Sequence, residues 1–309
     1  MAFGDIRVAE RADWLIERMA ALGTVVLRRI GETRPGEMGV HRFLSSPYVS
    51  TENIVSTCAA RTAAQCRGRR ILAIQDTTEI NFAGRDKKRR GLGPAGNGKA
   101  PGFFIHPVIA VDVATEAVVG LVDARIWTGA AGKRRARRSR PMENKESARW
   151  LAGCVAATER LSQAAAVTMV ADRESDIYPL FAQRPAGLDL IVRAAQDRSL
   201  ADGTRLFDAL NHAPVLASCK VRVAPRGPGD KGRLAEVELR ASKVTIARPR
   251  NGCDAGLPET ITLTLVEARE VAPPAGRPAL LWRLLTTHTV SNAADAEEIV
   301  NLYRLRWRI

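Results

Sequence analysis

The sequence predicts a mixed α/β fold, with helices packed on a sheet that a β-rich segment interrupts and a helical region precedes. Three observations support this. Apolar residues recur at helical spacing in residues 5–70. Two short apolar runs, ILAIQ (71–75) and VTMVA (167–171), each lead directly into an aspartate. Residues 196–279 alternate short β-like runs with turns rich in glycine and proline.

The N-terminal region is expected to contain two helices joined by a turn. The stretch 13–30 places its apolar residues on one face, and Ser50 or Thr51 is a suitable cap for a second helix. Between them, RFLSSPYVS (42–50) predicts a turn. We interpret residues 1–69 as an N-terminal helical DNA-binding domain.

The core is expected to begin with the strand that ends before Asp76. A basic, glycine-rich loop (85–102) follows, and then two strands that turn around Thr115 and Glu116. An amphipathic helix (143–163) leads to the second aspartate-tipped strand. The predicted domains are the helical region 1–69, the first part of the core 70–195, the β-rich insertion 196–279, and the last core strand with the start of a closing helix 280–309.

The charge of the chain indicates a polyanionic partner. Lysine and arginine number 47 against 33 aspartates and glutamates, a net charge of +14. Nucleic acid is the commonest partner of such a basic protein. Basic runs at 85–90 and 133–140 are often no more than solvated faces. We favour surfaces that follow DNA, because both runs fall on loops beside the aspartate-tipped strands.

The five cysteines form no C-x-x-C pair, and their odd number argues against a disulfide framework. The N-terminus lacks the apolar segment of a signal peptide, and no apolar run approaches membrane-spanning length. These features predict a cytoplasmic protein.

The segment GPAGNGK (93–99) matches the spacing of a phosphate-binding loop. Ala100 follows the lysine, so the hydroxyl that such loops offer to Mg²⁺ is missing, and Pro101 and Gly102 oppose the helix that should follow. We therefore interpret this segment as a basic loop near DNA rather than as an ATP site.

The strongest chemical signal is the pair Asp76 and Asp172. Ligands and metals gather at the carboxyl ends of strands in open α/β sheets. Two carboxylates brought together there repel each other unless a cation lies between them, and Mg²⁺ suits oxygen ligands. Either aspartate alone is equally explained as a strand-end turn residue. Both together, in so basic a chain, favour metal-dependent chemistry on nucleic acid. His106 and His288 are expected to be polar residues of the core rather than ligands.

The segments IQDTTEI (74–80), ADRESDIYPL (171–180) and YRLRWRI (303–309) resemble bacterial insertion-sequence transposases of the cut-and-paste DDE type. The similarity extends to FGDIRVAER, HRFLSSPYVS, ENKESARWLAG and ALLWRLLTTHTV. It implies a ribonuclease-H-like core with a β insertion. It also implies Mg²⁺, for which Mn²⁺ can substitute, double-stranded DNA as substrate, and a homodimer in the synaptic complex.

The resemblance implies that Asp76 and Asp172 are the first two catalytic, metal-binding carboxylates. Tyr303 and Arg306 match the start of the family's Tyr-x2-Arg-x3-Glu-x6-Lys signature and would contact phosphates near a flipped nucleotide. Trp282 aligns with a tryptophan that stacks on the flipped base, although a core position explains it equally well. Arg193 and Arg173 are further candidates for phosphate contacts.

The same signature places a glutamate directly after Ile309. We therefore expect a truncated transposase that lacks its third carboxylate and is inactive in cleavage, and the first candidates for a carboxylate elsewhere are Glu174 and Glu298. The alternatives are a non-catalytic DNA-binding remnant of such an enzyme and a non-specific Mg²⁺-dependent nuclease.

Overall fold

A computed structural model describes residues 3–82, 91–95, 100–129, 148–225, 227, 231–250 and 253–309. In these ranges the strands form one sheet. The strands are β1 (Arg70–Gln75), β2 (Thr78–Asn81), β3 (Gly93–Ala95), β4 (Ala100–Asp112), β5 (Val118–Trp127), β6 (Ala166–Ala171), β7 (Leu188–Arg193), β8 (Ala217–Val223), β9 (Arg233–Ala247), β10 (Thr260–Glu270) and β11 (Leu281–Thr286). The α-helices are α1 (Ile6–Leu22), α2 (Leu27–Gly31), α3 (Arg34–Leu44), α4 (Thr51–Cys66), α5 (Ala148–Arg160), α6 (Tyr178–Gln183) and α7 (Ala293–Arg304).

The sheet is mixed, with its parallel strands at the centre. Its order is β2-β4-β1-β6-β7-β11-β10-β9-β8, and β3 and β5 also pair with β4. Strands β1, β6 and β7 run parallel to one another, whereas every other described pairing is antiparallel. The predicted mixed α/β class is thereby confirmed.

Strand β1 is buried on both faces, which explains its uninterrupted apolar sequence. Ile71 and Ala73 belong to one hydrophobic cluster, which includes Trp150 of α5. Leu72 and Ile74 point to the opposite face and join a second cluster, which includes Tyr303 of α7. The period-two alternation thus anchors helices on both sides of the strand whose end carries Asp76.

The region between β7 and β11 forms antiparallel strands that extend the same sheet. Two of the predicted β-like runs are one continuous strand, β9, because no glycine or proline separates them. Ser242 and Lys243, at the expected break, pair with Leu265 and Thr264 of β10. The segment predicted as a basic loop contains β3, which pairs with the start of β4.

The N-terminal helices differ in their bounds from the prediction. The expected first helix ends at Gly23, which adopts a left-handed conformation (φ 57°), and α2 begins four residues later. Thr33 caps α3, which ends at Leu44 and so includes the first three residues of the predicted turn. Phe3, Leu15 and Phe43 belong to a small separate core shared by these helices.

Helix α4 packs on the sheet beside β5. Thr62, which is 4% exposed, lies so close to Gly120 that a Cβ there would overlap its hydroxyl. Part of the predicted N-terminal domain is therefore attached directly to the core. In the portion of the chain that the structure describes, no helix is both long and apolar enough to cross a membrane.

Several predicted features fall outside the described residues. The basic runs 85–90 and 133–140 both do, as do residues 96–99 of the GPAGNGK segment and residues 143–147 of the predicted helix that contains α5.

Candidate active site

The two predicted catalytic aspartates lie side by side at the carboxyl edge of the parallel strands. Strands β1 and β6 are direct neighbours, with Ile74 opposite Val170. Asp76 and Asp172 are the residues that follow each strand, so they occupy matching positions in this register. The fold thus brings together two residues that are 96 positions apart in the sequence.

One nitrogen of Arg306 lies between the two carboxylates. Its Nη2 donates hydrogen bonds of 2.9 Å to Asp76 Oδ2 and of 2.9 Å to Asp172 Oδ2. The two accepting oxygens are therefore no more than twice that distance apart. Arg306 lies in a short 3-10 helix that directly follows α7, and it is only 8% exposed. Its positive charge compensates the repulsion between the aspartates.

Tyr303 also contacts Asp172. Its hydroxyl donates a hydrogen bond of 3.3 Å to Asp172 Oδ1, and the residue is fully buried. Burial, followed by the negative charge of Asp172, raises the pKa of Tyr303 to about 12. The phenol therefore remains protonated and is a hydrogen-bond donor at neutral pH.

The other residues proposed to contact DNA have different surroundings. Arg193 Nη1 lies 3.9 Å from Asp172 Oδ1, at the margin of an ion pair. Arg173 follows Asp172 in the chain and is exposed. Trp282 is 5% exposed and packs edge-on against Tyr303, with ring centroids 5.2 Å apart. In this conformation Trp282 supports Tyr303 from within the core and offers no open face to a base.

A second set of polar side chains lies behind Asp76, and sequence reasoning did not assign it to the site. The backbone N–H of Thr77 donates to Asp76 Oδ1 over 2.8 Å. Thr77 Oγ1 lies 2.9 Å from His106 Nδ1, and His106 Nε2 lies 3.2 Å from Gln75 Oε1. Burial alternates along the middle of β4 and places His106 on an inner face of the sheet.

His106 is a neutral core residue, as predicted. It is 1% exposed and packs edge-on against Trp150. Burial, and then the positive charges of Arg149 and Arg125, lower the pKa of His106 to about 3. The uncharged ring has one donor and one acceptor nitrogen, which matches its two partners.

Arg149 of α5 joins this set to the other side of the site. Its Nε donates to Thr77 Oγ1 over 3.1 Å, and its Nη2 donates to Glu174 Oε2 over 3.0 Å. Glu174 is thus paired with an arginine, with 68% of its side chain exposed. Glu298 forms an ion pair with Arg70 and is also largely exposed. Neither glutamate is seen to join the two aspartates.

The candidate metal ligands at the site are few. They are carboxylate oxygens, which suit a hard divalent cation. Asp76 and Asp172 present one carboxylate oxygen each to the positively charged Nη2 of Arg306. Magnesium is commonly bound by one or two carboxylates together with water and substrate phosphates. Among the described residues, no group of three or more histidine, cysteine, aspartate or glutamate side chains is arranged to hold a metal.

Four of the predicted site residues therefore form one cluster of direct contacts: Asp76, Asp172, Tyr303 and Arg306. Arg193 lies at its edge, and Trp282 packs against the ring of Tyr303. A comparison of the chain with models of known protein families finds no match.

Proposed function

We propose that this protein is a DNA transposase of the cut-and-paste DDE type, in which Asp76 and Asp172 bind the catalytic Mg²⁺. The observation that carries this proposal is the placement of both aspartates at matching ends of adjacent parallel strands, bridged by Arg306. This placement is typical of ligand sites in α/β sheets. The motifs in which these residues lie are the ones that resemble the transposases.

The sheet supports a ribonuclease-H-like core. Strand β4, antiparallel to both β5 and β1, lies on one side of β1, and the parallel strands β6 and β7 follow on the other. Strands β8, β9 and β10 come between β7 and β11 in the chain, as expected of a β insertion. We propose that they are the family's insertion, here continuous with the core sheet.

Each side chain of the cluster has a distinct role in this proposal. The two aspartates supply the negative charge that holds the metal, which when bound activates water and stabilises the leaving oxygen. Arg306 presents a planar fork suited to the oxygens of a phosphodiester. Tyr303 fixes one oxygen of Asp172 by its hydrogen bond, leaving the other oxygen to face Asp76.

The partner in this proposal is duplex DNA at the ends of a transposable element. A net charge of +14 provides the attraction to phosphate that binding of any sequence requires. By the resemblance, two protomers hold two ends in a synaptic homodimer. A non-specific nuclease would need the same charge but no preference for an end sequence.

The test begins with DNA binding and metal-dependent cleavage. Footprinting compares a duplex that carries the terminal inverted repeat of the element with a scrambled duplex of equal length. Cleavage in Mg²⁺ is measured with the protein expressed from its complete reading frame. We expect end-specific protection, and cleavage that Asp76→Asn and Asp172→Asn abolish while the control Asp208→Asn retains it.

The outcomes separate the candidate functions. Equal protection of both duplexes, with cleavage, would identify a non-specific nuclease. End-specific protection without cleavage would favour a DNA-binding protein that is not an enzyme. This second function, DNA binding without catalysis, is favoured by the absence of a third carboxylate beside Asp76 and Asp172 among the described residues.

A further inference from the structure

Arg306 lies between the two aspartates, where a bound cation would also need to lie. We infer that Arg306 makes metal binding at Asp76 and Asp172 conditional on a phosphodiester. Without DNA, the arginine is the counter-ion of the aspartates. With DNA, a phosphate draws the guanidinium away and the carboxylates accept the cation. This inference rests on the proposed function and adds the order of events at its site.

The first argument is one of space and charge. A single nitrogen, Nη2, contacts an oxygen of each aspartate at 2.9 Å, so it lies between them. Arg306 is 8% exposed, so water screens its charge poorly. A divalent cation shared by the same oxygens would lie close to this guanidinium and be repelled by it. The arginine and the metal therefore compete for the two carboxylates.

One hydrogen-bond donor of Arg306 is unsatisfied while the residue bridges the aspartates. The Nε of Arg306 is buried and has no hydrogen-bond partner among the residues that the structure describes. A buried N–H without an acceptor destabilises the conformation that contains it. A phosphate offers two oxygens at the spacing of the arginine fork and would satisfy Nε together with an Nη nitrogen. While Arg306 bridges the aspartates, its Nε thus lacks an acceptor, and a phosphate can supply one.

The neighbours of Arg306 and Asp172 can stay in place when Arg306 moves. Its guanidinium lies over the ring of Trp307, 4.8 Å from the centroid, and Trp307 is 58% exposed. The exposed indole gives the arginine a supporting surface outside the aspartate pair. Asp172 keeps its hydrogen bond from Tyr303, because that phenol is anchored in the core. The carboxylate of Asp172 therefore remains ordered after the arginine leaves.

Reciprocity follows from linkage. If DNA raises the affinity for the metal, the metal must raise the affinity for DNA by the same factor. Coupling between sites commonly amounts to about 5- to 150-fold. The practical consequence is that the protein would hold little metal until it binds DNA.

The experiment counts free Mn²⁺ by electron paramagnetic resonance during titration of the protein, alone and with a 20-base-pair duplex carrying the inverted repeat. A titration of the duplex alone corrects for Mn²⁺ bound to DNA. The variants are Arg306→Gln, Arg306→Lys and the control Arg308→Gln, which removes an arginine of the same 3-10 helix that pairs with Glu116 instead. The double variant Asp76→Asn/Asp172→Asn defines binding elsewhere, and melting curves confirm that each variant folds.

Without DNA, we expect Arg306→Gln to bind Mn²⁺ about 5-fold or more tightly than the wild type, by the lower end of the usual coupling range. The duplex should raise the affinity of the wild type and of Arg308→Gln by a similar factor, and that of Arg306→Gln not at all. Arg306→Lys should keep the low affinity without DNA and show a smaller shift, since it retains the charge but not the fork.

Two results would overturn the inference. One is equal Mn²⁺ affinity of wild type and Arg306→Gln in the absence of DNA, and the other is no shift when the wild type binds the duplex. The proposed function is tested separately by whether the wild type binds the duplex at all. Loss of DNA binding would remove both proposals, whereas intact binding without a Mn²⁺ shift would remove this one alone.

Discussion

Thr77 and His106 share a hydrogen bond of 2.9 Å between Oγ1 and Nδ1, and this bond links a buried ring to the strand end that carries Asp76. The opposite nitrogen of His106 faces Gln75 Oε1, which accepts its proton. Nδ1 is therefore the acceptor, and the Thr77 hydroxyl donates to it. Since the N–H of Thr77 holds Asp76, the neutral histidine helps to fix the direction of the carboxylate.

His106 should give the protein a dependence of stability on pH. Its pKa is about 3 in the folded chain and ordinarily 6.5, so only the unfolded chain binds a proton between these values. The free energy of unfolding should therefore fall as pH falls from about 6.5 towards 3, by up to about 1.4 kcal/mol per pH unit. Well above pH 6.5 His106 is neutral in both the folded and the unfolded chain, so its stabilising contribution to the free energy of unfolding is fully present.

The measurement is urea unfolding of the wild type and of His106→Gln at several pH values from 7.5 to about 4.5, where most carboxylates remain ionised. The difference in unfolding free energy between the two proteins should shrink as pH falls. A difference independent of pH would show that the pKa of His106 is the same in the folded and the unfolded chain.

Gly153 of α5 should be intolerant of a side chain. A Cβ at this position would overlap Gln75 Oε1 and lie 3.2 Å from Val108 Cγ2. Alanine stabilises an exposed helix by about 1 kcal/mol relative to glycine. Here we expect Gly153→Ala to lower the unfolding free energy by about 1–3 kcal/mol instead, because Gln75 must move away from His106. Val155→Ala, on the exposed side of the same helix, is the control and should change it by about 0.5 kcal/mol or less. Increased stability of Gly153→Ala would contradict the packing described here.

Asp176 should be essential for stability although it lies in the same motif as Asp172. Its side chain is fully buried and accepts hydrogen bonds from the backbone of Ala195 and Gln196 and from Arg198, which is also buried. Asp176→Ala leaves that arginine without its partner and should cost about 3–5 kcal/mol of unfolding free energy.

Glu238→Ala is the matched control for Asp176→Ala. It breaks the partly exposed pair with Arg240 and should cost at most about 1 kcal/mol. Equal losses from the two substitutions, measured by denaturant unfolding, would refute the structural role of Asp176.

DNA binding should depend steeply on salt. The net charge of +14 makes phosphate contacts the main source of affinity. A protein that contacts roughly six to ten phosphates loses about 10³- to 10⁵-fold in affinity between about 50 and 200 mM salt. Fluorescence anisotropy with a labelled duplex across this range provides the measurement, and an affinity that stays constant would show that phosphate contacts contribute little to binding.

The sequence was most informative where local pattern and burial coincide. The apolar runs of β1 and β6 have few polar residues because both faces of these strands are covered, so their ends, and with them Asp76 and Asp172, were predictable. Helix limits in the N-terminal region were less predictable. There, the left-handed Gly23 and the capping by Thr33 decided between one helix and several.

The sequence by itself determined the mixed α/β class, the basic charge and the identity of two acidic residues at strand ends, since these depend on composition and on short-range periodicity. Only the tertiary structure decided that Arg306 bridges those acids, that His106 and Thr77 support one of them, and that Trp282 is buried against Tyr303. The physical reason is that these contacts join residues from 21 positions (Trp282 to Tyr303) to 230 positions (Asp76 to Arg306) apart along the chain. Their distances are set by strand pairing and by helix packing on the sheet, which no local pattern encodes.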